Sequence, residues 1–220
     1  MLTVSGWDWA TISALATAFG TLVLAVATFS SVRSANQSAR TAERALLQGI
    51  RPLLFASRFS DEPMKVFFND GRLLKVPGGH GDVDLTPEAA YLAMSLRNVG
   101  TGMAVLHGWV VDRRLDSGIA PDHAPLERFR RLTRDLYVPP HDVFFWQGAV
   151  RDTTDPAYAV VEEAVRTEDA LAIELLYGDE EGGQRTVTRF ALVPHRAEGG
   201  PLVWMATVGR HWYIDRAAPR

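Results

Sequence analysis

The hydrophobic pattern of the chain changes character twice. Residues 9–29, WATISALATAFGTLVLAVATF, contain no charged side chain, no Pro and one Gly. As a helix rising about 1.5 Å per residue they extend roughly 31 Å, close to the hydrocarbon thickness of a bilayer. Helical hydrogen bonding satisfies every backbone group, which is the condition for crossing lipid. The Ser and Thr hydroxyls are expected to bond back to helix carbonyls. Trp7 and Trp9 stand at the start, where an indole suits the headgroup level. The core helix of a soluble protein rarely runs this long without a charge. A cleaved signal would fit Ala25-Val26-Ala27, but the preceding MLTVSGWD lacks Lys and Arg and carries Asp8. The pattern predicts a permanent transmembrane helix over 9–29.

Residues 30–51 keep a helical period but become polar. Val32, Ala35, Ala39, Ala42, Leu46 and Gly49 recur at alternating steps of three and four, a short seam of the coiled-coil kind. Arg51-Pro52 ends this stem, because a residue before Pro is pushed out of the α region. Within the span, Ala14 and Ala18, and Ala16 and Gly20, are small residues four apart that permit close helix approach. These positions are the candidates for oligomerisation. The seam suits equally a stem that lies on the globular domain.

From Pro52 the pattern alternates. Strands are predicted over 53–59, 66–68, 91–98, 102–115, 142–150, 171–178, 184–193 and 203–214, the last broken about Gly209. Residues 69–88 read as a hairpin and a Gly-rich loop. Two helical inserts are predicted, 126–136 and 155–169, the second opened by Asp155 as N-cap and Pro156 at the first position. The predicted fold is membrane-anchored and mainly β: an extracytoplasmic N-terminus (1–8), a transmembrane helix (9–29), a juxtamembrane stem helix (30–51) and a cytoplasmic antiparallel β-sandwich with two helical inserts (52–220).

Charge sets the expected orientation. Asp8 alone precedes the span, whereas Arg33, Arg40, Arg44 and Arg51 follow it against Glu43. Lys and Arg stay on the cytoplasmic side, so the N-terminus is expected outside and the rest inside, at the inner (plasma) membrane. The stem arginines are placed to meet lipid headgroups, at about 1 kcal/mol each. The whole chain carries −3; Asp8 contributes one negative charge and the stem three net positives, which leaves −5 from Pro52 onward. That balance gives no basic footprint for nucleic acid. The chain has no Cys, which removes disulfides, thiolate nucleophiles and thiolate metal sites. Arg-rich, Ala-rich composition suggests a GC-rich bacterial genome.

Candidate chemistry is sparse. Arg128, Arg130, Arg131 and Arg134 crowd the first predicted insert, with Arg113 and Arg114 upstream. Guanidinium groups match phosphate geometry, so this is the candidate anion site, competing with a solvated face paired to Glu127 and Asp135. His80, Asp82 and Asp84 are spaced at two but lack a third ligand of like quality, so no metal is expected. Asp179, Glu180 and Glu181 read as a hairpin tip. His107, His141, His195 and His211 have no zinc spacing. Trp109, Trp146, Trp204, Trp212 and Tyr213 are expected in the core. No nucleophile elbow, phosphate loop or dinucleotide fingerprint is present, and no cofactor is implied.

One phrase resembles a known group. The run LAMSLRNVGTGMAVLHGWVV, with Asn98, Gly100, Gly102 and Ala104, and the hairpin Tyr177, Asp179, Gly182 are similar to phrases in uncharacterised bacterial single-pass membrane proteins. The resemblance implies an immunoglobulin-like sandwich, in which Asn98, Gly100, Gly102, Asp179 and Gly182 are structural turn residues, and it brings no catalytic residues. The expected function is a non-enzymatic membrane protein whose domain binds a protein partner or small ligand, with membrane lipid and a second copy as further partners. Two alternatives stand beside it: a signal-gated effector binding an anionic nucleotide at Arg128–Arg134, and an accessory subunit of a larger membrane complex.

Overall fold

A computed structural model describes residues 9–113, 122–196 and 200–215. The chain divides into two compact units at Gly49/Ile50. The first is a single helix, α1, Trp9–Gly49, long and apolar enough to cross a membrane. Span and stem are thus one unbroken helix. Its hydroxyls bond back as expected: Thr17 donates to the Ser13 carbonyl at 2.8 Å and Thr21 to the Thr17 carbonyl at 2.9 Å. Such bonds would lower the cost of carrying the hydroxyls into lipid.

The second unit is a mostly antiparallel β domain. Its elements are β1 (Leu54–Ala56), β2 (Met64–Phe67), β3 (Leu73–Val76), β4 (His80–Leu85), β5 (Ala90–Asn98), β6 (Ala104–Arg113), β7 (Arg130–Val138), β8 (Val143–Val150), α2 (Pro156–Thr167), β9 (Leu171–Gly178), β10 (Thr186–Arg196) and β11 (Leu202–Tyr213). One nine-stranded sheet takes the order β1-β5-β4-β11-β10-β9-β6-β7, with β8 also on β5, and β2-β3 form a separate hairpin. β5 is the hub: β4 and β1 succeed one another along one side, and β8 runs along the other. The ladder between β11 and β4 is short: Trp204 pairs with Gly81 and Met205 with His80, and the Ala206 amide donates to the Gly79 carbonyl at 3.0 Å.

The sheet closes over one core. Trp109 of β6 and Trp146 of β8 belong to opposite ends of the strand order, yet their rings meet edge to face at 5.3 Å. Leu92, Met94, Leu106, Ile173, Phe190 and Leu192 fill the same interior. α2 packs Ala157, Val161 and Ala164, spaced by four and three, into this core. Its start is as predicted: the Asp155 carboxylate accepts from the Ala157 amide at 2.9 Å, and Pro156 stands first.

Three expectations change. Residues 126–136 are not a helix. Leu126–Arg128 make one 3₁₀ turn, and β7 follows, paired to β6. Leu126, Phe129 and Leu136 mimic a helical stripe, but Arg130, Leu132, Leu136 and Val138 also share a strand face, and pairing to an open sheet edge decides between the periods. The hairpin expected within 69–88 is present as the turn into β3, paired with β2, but the expected Gly-rich loop is not: the GGHGDVD run lies largely on β4. β11 is one strand, in which Gly209 is passed over opposite Arg189/Phe190 as a bulge rather than a break.

The shared core makes a direct prediction. Trp146 is fully buried against Trp109, whereas Tyr137 is 57% exposed. Trp146→Ala is expected to cost about 3–5 kcal/mol of domain stability in denaturant unfolding, and Tyr137→Ala less than about 0.5 kcal/mol.

Candidate functional site

Three of the six arginines of the predicted anion site are engaged by carboxylates. Arg128 pairs with Asp112 at 3.1 Å, Arg113 with Asp169 at 3.3 Å, and Arg130 with Asp155 at 2.6 Å. The Arg130 guanidinium also stands 5.5 Å over the Trp109 ring and holds the Asp155 carboxyl below its usual range. Arg131 and Arg134 are exposed on β7, on either side of an irregularity in its pairing with β6, and Arg114 lies outside the described residues. A guanidinium already paired with a carboxylate is less available to a phosphate.

On β4, His80 and Asp84 are engaged locally. The His80 ring contacts the Gly78 carbonyl at 2.7 Å, and Asp84 pairs with Arg72. Burial, and then the neighbouring Asp84, pushes the Asp82 carboxyl up. Among the described residues no group of three or more His, Cys, Asp or Glu is arranged for a metal ion. The acidic hairpin is a tip: the Asp179 carboxylate accepts from the Gly183 amide at 2.7 Å, and Gly182 has φ of 74°.

The densest polar construction lies where the β domain begins. Asn98, fully buried, accepts from the Leu53 amide at 3.2 Å and the Gly100 amide at 3.0 Å. Its amide nitrogen donates toward the carbonyls of Gly102 (2.8 Å), Val138 (3.2 Å) and Pro139 (3.3 Å). A Cβ on Gly102 would overlap the Ile50 carbonyl oxygen, and one on Gly100 the Arg51 carbonyl oxygen. Neither glycine has positive φ. The N-x-G-x-G phrase bends the chain between β5 and β6, and its glycines serve close approach of another backbone segment.

The same segment is held from its other side. Arg51 makes a two-pronged ion pair with Asp215, 2.6 and 3.1 Å, and lies 4.4 Å over the Tyr213 ring. It is engaged within the domain, which removes it from the set of stem arginines expected at lipid headgroups. The Leu54 amide donates to the Tyr177 hydroxyl at 3.2 Å; Tyr177 contacts Thr188 at 2.8 Å, and Thr188 contacts His211 Nδ1 at 2.7 Å. Burial pushes the Tyr177 phenol up to about 12 and the His211 imidazole down. The Thr188–His211 spacing is that of a nucleophile and base, but Thr188 is fully buried and its hydroxyl is shared between Tyr177 and His211, so it has no side open to substrate. The arrangement clamps the first strand. Sequence reading missed Arg51–Asp215 and Tyr177–Thr188–His211, because nothing local signals a pair 164 residues apart.

Two outcomes follow. Asn98→Ala and Asn98→Asp are each expected to cost about 3 kcal/mol in denaturant unfolding; a carboxylate rescues neither, since it would face three carbonyl oxygens. His211 and His107 are both lowered from 6.5 chiefly by burial. The unfolded chain therefore binds more protons, and their stability contribution is complete above 6.5 and lost as pH falls below it. Thermal unfolding midpoints at about pH 7.5 and 5.5 should differ more for the natural protein than for His211→Asn.

No family model, no curated protein and no solved structure matches this chain.

Proposed function

We propose that this chain is a non-enzymatic, single-pass inner-membrane protein that self-associates through its helix and presents a cytoplasmic β domain to a partner. The observation that carries the reading is the register of α1. Thr11, Ala14, Ala18, Thr21, Ala25, Thr28, Val32, Ala35, Ala39, Ala42, Leu46 and Gly49 follow alternating steps of three and four through the whole helix. The seam of the stem therefore continues into the span without a change of phase. Nearly all its members are small, and Ala14, Ala18, Thr21 and Ala25 border one shallow groove. Small side chains let helix backbones approach, and a sustained 3–4 spacing favours left-handed crossing. Arg33 and Arg40 lie off the seam. So do Ala16 and Gly20, which withdraws that pair from the interface.

The finer description of the domain as an immunoglobulin-like sandwich belongs to this proposal, as does kinship with uncharacterised bacterial anchored proteins. It is supported by the short ladder between β4 and β11 and by the contact of Trp109 on β6 with Trp146 on β8. The nucleotide-gated alternative loses its support with the dispersal of the arginines. The accessory-subunit reading is an outcome of the test.

The test is the mass of protein extracted in mild detergent, with every co-eluting chain identified. The proposal expects a defined homo-oligomer. Ala18→Leu with Ala39→Leu should weaken assembly about tenfold or more through overpacking, and Ala16→Leu should leave it unchanged. A natural chain that elutes as a monomer with a stoichiometric foreign subunit would replace self-association with an accessory role.

A further inference from the structure

The β2–β3 hairpin has a buried face and an unusual outer one. Val66, Phe68, Leu74 and Val76 pack against Tyr91 and Ala93. On the outer face Lys65 is paired directly with Lys75, and Phe67 with Leu73. Phe67 is 62% exposed and Leu73 47%. The turn between them is fixed: Asp70 accepts from the Tyr91 hydroxyl at 2.8 Å and from Arg151 at 3.0 Å. An apolar pair is thus displayed on a rigid mount.

Lys65 and Lys75 are the two lysines of a chain that otherwise carries 21 arginines. Neither makes an ion pair with a described residue, and like charges directly opposite across a strand pair cost stability. An ammonium on a flexible stem beside exposed aromatic and aliphatic groups matches the boundary between headgroups and acyl chains. Anionic phosphates would turn the repulsion of the lysine pair into attraction.

We propose that this face docks on an anionic bilayer surface, with Phe67 and Leu73 entering the headgroup layer and Lys65 and Lys75 meeting lipid phosphates. The inference rests on the reading of α1 as a membrane span, whose tether makes a weak second contact effective. Residues 30–49 amount to about 30 Å of helix. A folded domain of this length is about 40 Å across, more than the length of that helix.

The absence of Cys allows a single label at Asn69→Cys, an exposed turn position, carrying an environment-sensitive fluorophore. The full chain is reconstituted into nanodiscs of phosphatidylcholine alone or with about 30% phosphatidylserine. The ratio of docked to free hairpin, read from emission, is expected to rise about 30-fold on the anionic discs, at about tenfold per 1.4 kcal/mol and one such contact per lysine. Lys65→Glu with Lys75→Glu, or high salt, should return it to the neutral value. Phe67→Ser with Leu73→Ser, on an exposed face that leaves the fold intact, should abolish the blue shift in both discs. Incorporated protein whose emission is the same in both lipids overturns the docking alone. Emission that changes equally in both and grows with protein copies per disc assigns the face to a second chain and overturns it too. Protein that fails to enter the discs overturns the span and this inference with it.

Discussion

The β domain depends on how its first residues are fixed. The segment Ile50–Leu54 has backbone pressed against Gly100 and Gly102, hydrogen bonds to Asn98 and Tyr177, and a guanidinium locked to Asp215. Each contact comes from a different part of the chain, so the segment cannot loosen without opening several elements. Asn98 is central because one planar amide, with an acceptor and two donors, binds β1, its own turn and the end of β7 together. Buried polar groups of this kind are costly when half satisfied and stabilising when complete.

The helix supplies a different constraint. In lipid, helices gain nothing from hiding apolar surface, so close packing of small side chains has to provide the attraction. In water the same seam is poor, since Ala buries little area. Under the proposed reading, a continuous register would let the span set the geometry of association and the stem keep it without a change of phase. This is why the weak stem seam gains meaning once span and stem are seen to be one helix.

Much of the architecture was legible. Residues 91–98 alternate clearly, 142–150 and 171–178 are short apolar runs, and Asp155-Pro156 announces a helix, so local pattern and final element agree. The site was less legible. The arginines of 126–136 were visible as residues, but a chance agreement between periods hid the strand that disperses them. Gly100 and Gly102 were visible as turn glycines, while the reason for them, the backbone of Ile50 and Arg51, lies in another part of the chain. Lys65 and Lys75 become neighbours only through hairpin register, which was obscured because β3 and β4 are short and interrupted by Pro77-Gly78-Gly79.

The central claim, one self-associating seam through span and stem, is tested most directly by a cysteine scan of residues 11–49 in native membranes, each variant carrying a single thiol in a chain that otherwise has none. The account predicts oxidative cross-linking that peaks at alternating steps of three and four and keeps its phase across residues 29 and 30. A flat profile, or peaks in one half alone, would contradict it.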